Sequence, residues 1–250
     1  MPHRVFSIEE VASYLHLDED DVRTLVRDGD IPFETRGNRP VFRPAEIDAW
    51  ASQRILGMEG DRVAAYHSRT HPSAPTAPTR ASELSALVHS SCIAPALSSR
   101  TKASVLRDLV AVAEQTGLLH DSKALIDSLI ERETLCSTGL PGGLAIPHPR
   151  HHHPWLFERS FLIIGRTLQA VQFGSPDHKP TDLFFLLCCQ DDRLHLRSLA
   201  RICMLAQKTP LLENLRTAES ASEMIEVLLA AERTALDAPP SSKRLKGKPL

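Results

Sequence analysis

A histidine between two prolines ends an apolar run in the middle of the chain. The segment reads Ser137-Thr-Gly-Leu-Pro-Gly-Gly-Leu-Ala-Ile-Pro-His148-Pro-Arg150. Pro149 keeps the residue before it in extended geometry, and Pro147 fixes the approach of the chain. An imidazole held rigidly at the end of a strand suits a nucleophile that must meet a bulky donor. His148 is therefore our first candidate for covalent chemistry.

The residues before His148 are of types that bind anions. Glycines let backbone N–H groups approach a negative charge, hydroxyl groups donate hydrogen bonds, and a guanidinium supplies positive charge. The residues concerned are Arg132, Ser137, Thr138, Gly139, Gly142 and Gly143. Together they predict that His148 works beside a phosphoryl group.

A second candidate is His195, near the start of a predicted helix over residues 193–207. On that helix it shares a stripe with Leu199 and Ile202, so we expect it to face the sheet edge where His148 ends. The run His151-His-His153 is interpreted as a solvated loop, because consecutive histidines cannot converge on one ion. We predict neither a metal nor a cofactor.

The elements that must position these residues follow from the hydrophobic period of residues 81–236. The period is helical at first, becomes that of short buried strands, and returns to helical. We predict helices over 83–88, from about 101 to 117, and over 121–132, 193–207 and 220–232, and strands over 143–147, 161–165 and 183–189. The pattern predicts an α/β domain with a central mixed sheet flanked by helices.

Residues 1–66 have the pattern of a winged helix-turn-helix. Ser7-Ile-Glu-Glu10 is a capping box that begins one helix, and Asp18-Glu-Asp-Asp21 begins a second. Gly37-Asn38 marks a hairpin between two short extended runs, and Pro44 opens a third helix.

Composition separates the units and excludes several classes of protein. Residues 67–80 carry three prolines and predict an extended Pro-rich linker, and residues 237–250 predict a basic disordered tail.

The net charge of −2 is not typical of a protein that coats nucleic acid or membrane. No apolar run reaches the roughly 20 residues of a spanning helix. Five cysteines without CxxC spacing argue against disulfides or zinc, so we expect a cytoplasmic protein.

The larger unit resembles the enzyme IIA domain of the fructose/mannitol class of the sugar phosphotransferase system, above all its nitrogen-regulatory branch. The resemblance is carried by Arg132-Glu133, Ser137-Thr-Gly139, Gly143-Leu-Ala-Ile-Pro-His148, Pro180-Thr-Asp-Leu-Phe-Phe-Leu-Leu187 and His195-Leu-Arg-Ser-Leu-Ala200. It implies that His148 accepts a phosphoryl group from an HPr-like phosphocarrier protein. It also implies that His195 stabilises that group, with Arg132 and Thr138 nearby.

The smaller unit resembles the helix-turn-helix of the MerR and excisionase families. That resemblance implies DNA contacts from the second helix and the wing, for which the candidates are Arg23, Arg27, Arg36 and Arg39. Residues 1–66 nevertheless contain eight arginines, no lysine and thirteen acidic residues, a balance of −5. Because acidic groups repel the phosphate backbone, DNA binding and docking to protein stay open as alternatives.

Three functions remain. The first is a phosphoryl-accepting regulatory protein of the phosphotransferase system, which carries a phosphoryl group rather than turning over a small substrate. The second is a DNA-binding transcriptional regulator whose IIA-like domain senses phosphorylation. The third is an interaction module without phosphotransfer. We favour the first, with a phosphocarrier and a regulatory target protein as its partners and DNA as a further candidate.

Overall fold

The structure is a computed structural model that describes residues 5–70, 84–150 and 154–237. Most of the predicted linker, the triple histidine at 151–153 and the tail beyond residue 237 lie outside the described residues. In the ranges that are described, no helix has both the length and the apolar character needed to cross a membrane.

The N-terminal unit is a helix-turn-helix with a small hairpin wing. Its elements are α1 Ile8–Leu15, α2 Glu19–Arg27, β1 Glu34–Arg36, β2 Arg39–Val41, α3 Pro44–Leu56 and α4 Asp61–Thr70. The predicted capping box begins α1, since the Ser7 side chain accepts from the Glu10 backbone N–H and the Glu10 carboxylate accepts from that of Ser7. The hairpin turns at Gly37, whose φ of +63° favours glycine.

Helix α4 ends three residues beyond the predicted start of the linker. The chain does not become extended at residue 67, because α4 continues to Thr70. Val63 and Tyr66 on this helix are fully buried, and the burial of these side chains stabilises a helix that its polar composition does not announce.

The C-terminal unit is an α/β domain built on a mixed five-stranded sheet. Its strands are β3 Ile93–Leu97, β4 Gly139–Leu140, β5 Leu144–Ala145, β6 Phe161–Val171 and β7 Thr181–Cys188, in the order β3-β6-β7-β5-β4. Strand β3 is parallel to β6 and β5 is parallel to β7, whereas the pairs β6–β7 and β4–β5 are antiparallel. Its helices are α5 Lys102–Gln115, α6 Ser122–Leu135, α7 Asp192–Lys208, α8 Leu211–Thr217 and α9 Ala221–Asp237.

The mixed sheet with flanking helices confirms the predicted fold class, with differences in detail. Strands β3 and β4 and helix α8 were not predicted, since each is short. The helix predicted over 83–88 is only a 3₁₀ turn at Ser85–Leu87, followed by extended backbone at Val88.

The two units pack against each other through α7. Helices α3 and α4 of the N-terminal unit contact α7, which also contacts β7, α8 and α9 of its own unit. The buried apolar side chains of both units form one continuous cluster.

Candidate functional site

His148 lies just beyond strand β5, which pairs with the central strand β7. After that strand the chain continues beside β7, where the Pro147 carbonyl accepts a hydrogen bond from the Leu187 N–H at 2.9 Å. This pairing, together with the flanking prolines, fixes the backbone that carries the imidazole. The His148 side chain is only 2% exposed, and its Nδ1 lies 2.8 Å from the Ile146 carbonyl oxygen.

Arg132, in the last turn of α6, holds the other nitrogen of this ring. Its Nε donates to His148 Nε2 at 3.0 Å, and its Nη1 donates to the Cys136 carbonyl at 2.9 Å. A guanidinium can only donate, so Nε2 is the acceptor and the ring proton resides on Nδ1, directed at Ile146. Burial lowers the pKa of Arg132, and the nearby Glu133, Cys136 and Asp48 act in the opposite direction.

His195 stands beside His148, as its place on the helical stripe predicts. It lies in the first turn of α7, which begins where the Asp191 side chain accepts from the Leu194 N–H. The two ring centroids are 4.9 Å apart and the rings are tilted by 51°. His195 is fully buried, so the pair occupies a largely desolvated position.

Thr138 is close to the site, but its hydroxyl donates a hydrogen bond to Glu133. That hydroxyl donates to Glu133 Oε2 at 2.7 Å, while the Thr138 N–H donates to Oε1 at 2.9 Å. Lys102 Nζ also lies 2.9 Å from the same Oε1. Thr138 therefore orders the carboxylate next to Arg132 and does not donate its hydroxyl proton to an imidazole. Glu133 was part of the quoted motif but not of the predicted site, and nothing in the sequence singles out Lys102.

The donors of the glycine-rich turn make hydrogen bonds within the protein. The Gly142 N–H is directed at Asp177 Oδ2, 3.4 Å away, and the Ser137 hydroxyl donates to the Phe173 carbonyl at 2.9 Å. A Cβ on Gly143, whose φ is +80°, would lie 2.6 Å from Arg216 Nη2. The glycines allow this close packing, and donation from the turn to a phosphoryl group stays a prediction.

Two residues of the helix-turn-helix unit complete the surroundings of the histidine pair. Ser52 on α3 is 1% exposed, and its Oγ lies 3.1 Å from His195 Nε2. Asp48, one turn earlier, is 5% exposed and accepts from the Tyr14 hydroxyl at 3.1 Å. Its negative charge opposes the effect of burial on the pKa of Arg132, and it adds to burial in raising the pKa of Cys189, the residue after β7. Sequence reasoning missed both residues, because polar positions on a helix normally indicate a solvated face.

The four arginines predicted to contact DNA lie on the exposed surface of α2 and the hairpin. Three of them are near carboxylates of their own unit. Arg23 pairs with Glu19 at 2.8 Å, and Arg27 lies 3.5 Å from Asp28. Arg36 lies 3.9 Å from Glu34. These acidic neighbours reduce the positive charge that the surface offers to phosphates.

Comparison with known families identifies both units. The family described as "Phosphoenolpyruvate-dependent sugar phosphotransferase system, EIIA 2" matches residues 86–231, more than half of the chain. The chain belongs to this EIIA family. A family described as "Helix-turn-helix domain" matches residues 5–55 of the same EIIA chain.

Individual relatives agree with this assignment. The EIIA chain is 35% identical over 152 residues to a "Nitrogen regulatory protein" of Bradyrhizobium diazoefficiens, which covers 60% of this chain and 96% of that protein. It is 33% identical over 125 residues to a "Nitrogen regulatory protein" of Klebsiella oxytoca, covering 48% of this chain and 72% of that one. The crystal structure of the nitrogen regulatory protein IIA-Ntr of Neisseria meningitidis matches with a TM-score of 0.52 and 27% identity, covering 58% of this chain and 97% of that chain.

Proposed function

We propose that this protein is a phosphoryl-accepting regulator of the phosphotransferase system, phosphorylated on His148 by an HPr-like phosphocarrier. The observation that carries the proposal is the state of the His148 ring. One nitrogen is bound to a backbone carbonyl, the other faces a guanidinium, and a second imidazole stands 4.9 Å away. Such a ring has a fixed tautomer and a fixed nucleophilic nitrogen.

The transfer needs no proton to leave His148. The Nε2 lone pair attacks the phosphorus of the carrier's phosphohistidine, an N–P bond forms at Nε2, and the carrier's own N–P bond breaks. The released pair of electrons returns to the carrier's imidazole. The proton on His148 Nδ1 stays hydrogen-bonded to Ile146 throughout.

Arg132 and His195 then stabilise the product. In the resting ring Arg132 Nε occupies the Nε2 lone pair, so its N–H must turn to a phosphoryl oxygen as the new bond forms. The His195 ring, whose centroid is 4.9 Å from that of His148, is near enough to donate to the same group.

The regulatory part of the proposal is supported by what is joined to the EIIA domain and by its relatives. A helix-turn-helix unit precedes it, and two of its relatives bear the name nitrogen regulatory protein. We infer that the phosphoryl group of this chain is a signal to a partner.

DNA binding is a second candidate function. It is favoured by the exposure of the arginines on α2 and the hairpin while α3 and α4 are buried against the EIIA unit. The test is titration of double-stranded DNA at several salt concentrations. A DNA reader loses affinity steeply as salt rises, whereas affinity absent even at low salt would leave protein docking as the role of this unit.

The proposed phosphorylation is tested with labelled phosphoenolpyruvate, enzyme I and a phosphocarrier protein. His148→Asn and His178→Asn make a matched pair, since His178 is exposed and its φ of +57° suits asparagine. We expect acid-labile label on the wild type and on His178→Asn, and none on His148→Asn. Label retained by His148→Asn, or no label on a folded wild type with an active donor, would contradict the proposal.

A further inference from the structure

The helix-turn-helix unit covers the histidine pair. His148 and His195 are 2% and 0% exposed, and Ser52 Oγ on α3 of the N-terminal unit lies 3.1 Å from His195 Nε2. A phosphoryl donor that is itself a protein must bring its phosphohistidine into contact with His148 Nε2. The arrangement with α3 in place therefore leaves that donor no direct approach.

The N-terminal unit contacts α7 along its whole length. A helix on the surface of a domain normally buries one stripe, but α7 is buried at ten positions between His195 and Leu205. Polar contacts with the N-terminal unit occur at both of its ends. Arg193 Nη2 lies 3.5 Å from Ser13 Oγ near the start of α7, and Lys208 Nζ lies 2.7 Å from Asp61 Oδ1 at its end.

Gln207 makes the contact specific. Its side-chain oxygen accepts from the Gly60 N–H at 2.7 Å, and its side-chain nitrogen donates to the Met58 carbonyl at 2.9 Å. One amide thus satisfies both a donor and an acceptor in the turn between α3 and α4. A matched pair of this kind fixes the register of α3 and α4 on α7.

We propose that the helix-turn-helix unit and the phosphocarrier compete for the same surface of the EIIA unit, so that phosphorylation of His148 requires α3 and α4 to leave α7. The inference rests on the proposed phosphorylation of His148. The docked structure is the resting form, and the form with a phosphoryl group on His148 has the helix-turn-helix unit released.

The charges at the contact favour this coupling. Asp48 is buried, and its negative charge opposes the effect of burial on the pKa of Arg132, the residue that must turn to the phosphoryl oxygens. Asp48 lies one turn before Ser52 on the helix that touches His195, so a phosphoryl group on His148 adds negative charge to a desolvated region that already holds a carboxylate, and like charges there repel strongly. His195 would also bind the phosphoryl group, but in the docked form its Nε2 is in hydrogen-bond contact with the Ser52 hydroxyl. Phosphorylation therefore weakens docking, and by linkage release of the unit favours phosphorylation.

The test compares two variants of adjacent residues on α3. Ser52→Arg places a long cation against His195 and opens the contact without changing the EIIA unit. Gln53→Arg adds the same side chain at an exposed position of the same helix and is the control. The initial rate of acid-labile labelling of the full chain is measured against phosphocarrier concentration, with thermal unfolding to check that each variant folds.

We expect Ser52→Arg to reach half-maximal labelling at about ten-fold lower phosphocarrier concentration than wild type, equivalent to about 1.4 kcal/mol of docking. Gln53→Arg should match wild type. Equal half-maximal concentrations for a folded Ser52→Arg and wild type would overturn the competition while leaving phosphorylation intact. No label on any form would instead overturn the proposed phosphorylation, and the competition with it.

A measurement on the wild type needs no variant. Backbone amide exchange of α3, α4 and α7 is followed before and after labelling of His148. We expect exchange at all three helices to rise by ten-fold or more in the phosphorylated chain, because each loses its partner surface. Unchanged exchange at these helices in a chain with stoichiometric label would show that phosphorylation occurs with the unit still docked.

Discussion

At the scale of single residues, the site is a hydrogen-bonded series that fixes one imidazole. The Ile146 carbonyl, His148 and Arg132 are joined through the two ring nitrogens, and Arg132 is anchored in turn by the Cys136 carbonyl. These hydrogen bonds make Nε2 the nucleophilic nitrogen and place Arg132 where it can bind the negatively charged phosphoryl oxygens.

Arg132→Lys tests whether this geometry matters beyond the charge. Lysine keeps the positive charge but cannot direct two fixed N–H groups at His148 Nε2 and the Cys136 carbonyl. We expect the labelling rate at saturating phosphocarrier to fall by roughly ten- to hundred-fold, as for loss of one preorganised donor. The control is Arg107→Lys on the exposed side of α5. A rate for Arg132→Lys equal to that control would mean that charge alone suffices.

The residue scale is also where sequence reasoning was most informative. The prolines around His148 and the helical stripe of His195 predicted a rigid imidazole and a second one facing it, and the structure has the rings 4.9 Å apart. The packing role of Gly143 is not predictable from the sequence, because the pattern of a flexible turn gives no sign that Arg216 packs against it. Glu133 was missed as a site residue because its partners, Lys102 and Thr138, come from separate segments.

At the scale of elements, Glu133 and Thr138 join the end of α6 to the start of β4. The Glu133 carboxylate accepts the Thr138 hydroxyl and N–H at 2.7 and 2.9 Å and is 7% exposed. These two hydrogen bonds hold α6, and with it Arg132, against the sheet.

Thr138→Val removes the hydroxyl with little change of shape. It leaves a buried carboxylate oxygen without that donor, so we expect the free energy of unfolding to fall by about 1–3 kcal/mol. Denaturant unfolding measures the change, and Thr134→Val on the exposed side of α6 is the control, expected to stay within about 0.5 kcal/mol. An equal decrease in the free energy of unfolding for both valine variants would show that the hydrogen bond between Thr138 and Glu133 is unimportant.

The elements that sequence reasoning missed share physical causes. Strand β3 carries Pro95, which argues against a strand but is tolerated here because β3 lies at the sheet edge. Strand β4 has only two residues, too few for a period. Helix α4 is mostly polar in sequence and is stabilised by packing on α7. Elements with a capping box or a long apolar run, such as α1 and β7, were predictable because their signals are local.

At the scale of the whole molecule, the contact between the two units decides whether the histidine pair is accessible. It was not predictable, because its central residues are polar. Asp48 and Ser52 look solvent-facing on α3, and only the folded chain shows that both are buried and that Ser52 meets His195 of the EIIA unit.

Asp48→Asn tests the electrostatic part of the coupling. Asparagine still accepts from the Tyr14 hydroxyl but no longer repels a phosphoryl group beside Arg132. We expect phosphorylation to raise amide exchange of α7 several-fold less in this variant than in wild type. The control is Asp20→Asn in the first turn of α2, an exposed position. An equal rise in wild type and Asp48→Asn would assign the release to sterics and not to charge.

The central claim is that the Nε2 atom of His148 accepts the phosphoryl group while its Nδ1 keeps the proton. Long-range proton–nitrogen correlation spectra of the phosphorylated full chain, labelled with ¹⁵N in histidine, identify the modified nitrogen directly. The account predicts phosphorus coupled to His148 Nε2 and a protonated Nδ1, with the other histidines unmodified. A phosphoryl group on Nδ1, or on a histidine other than His148, would contradict it.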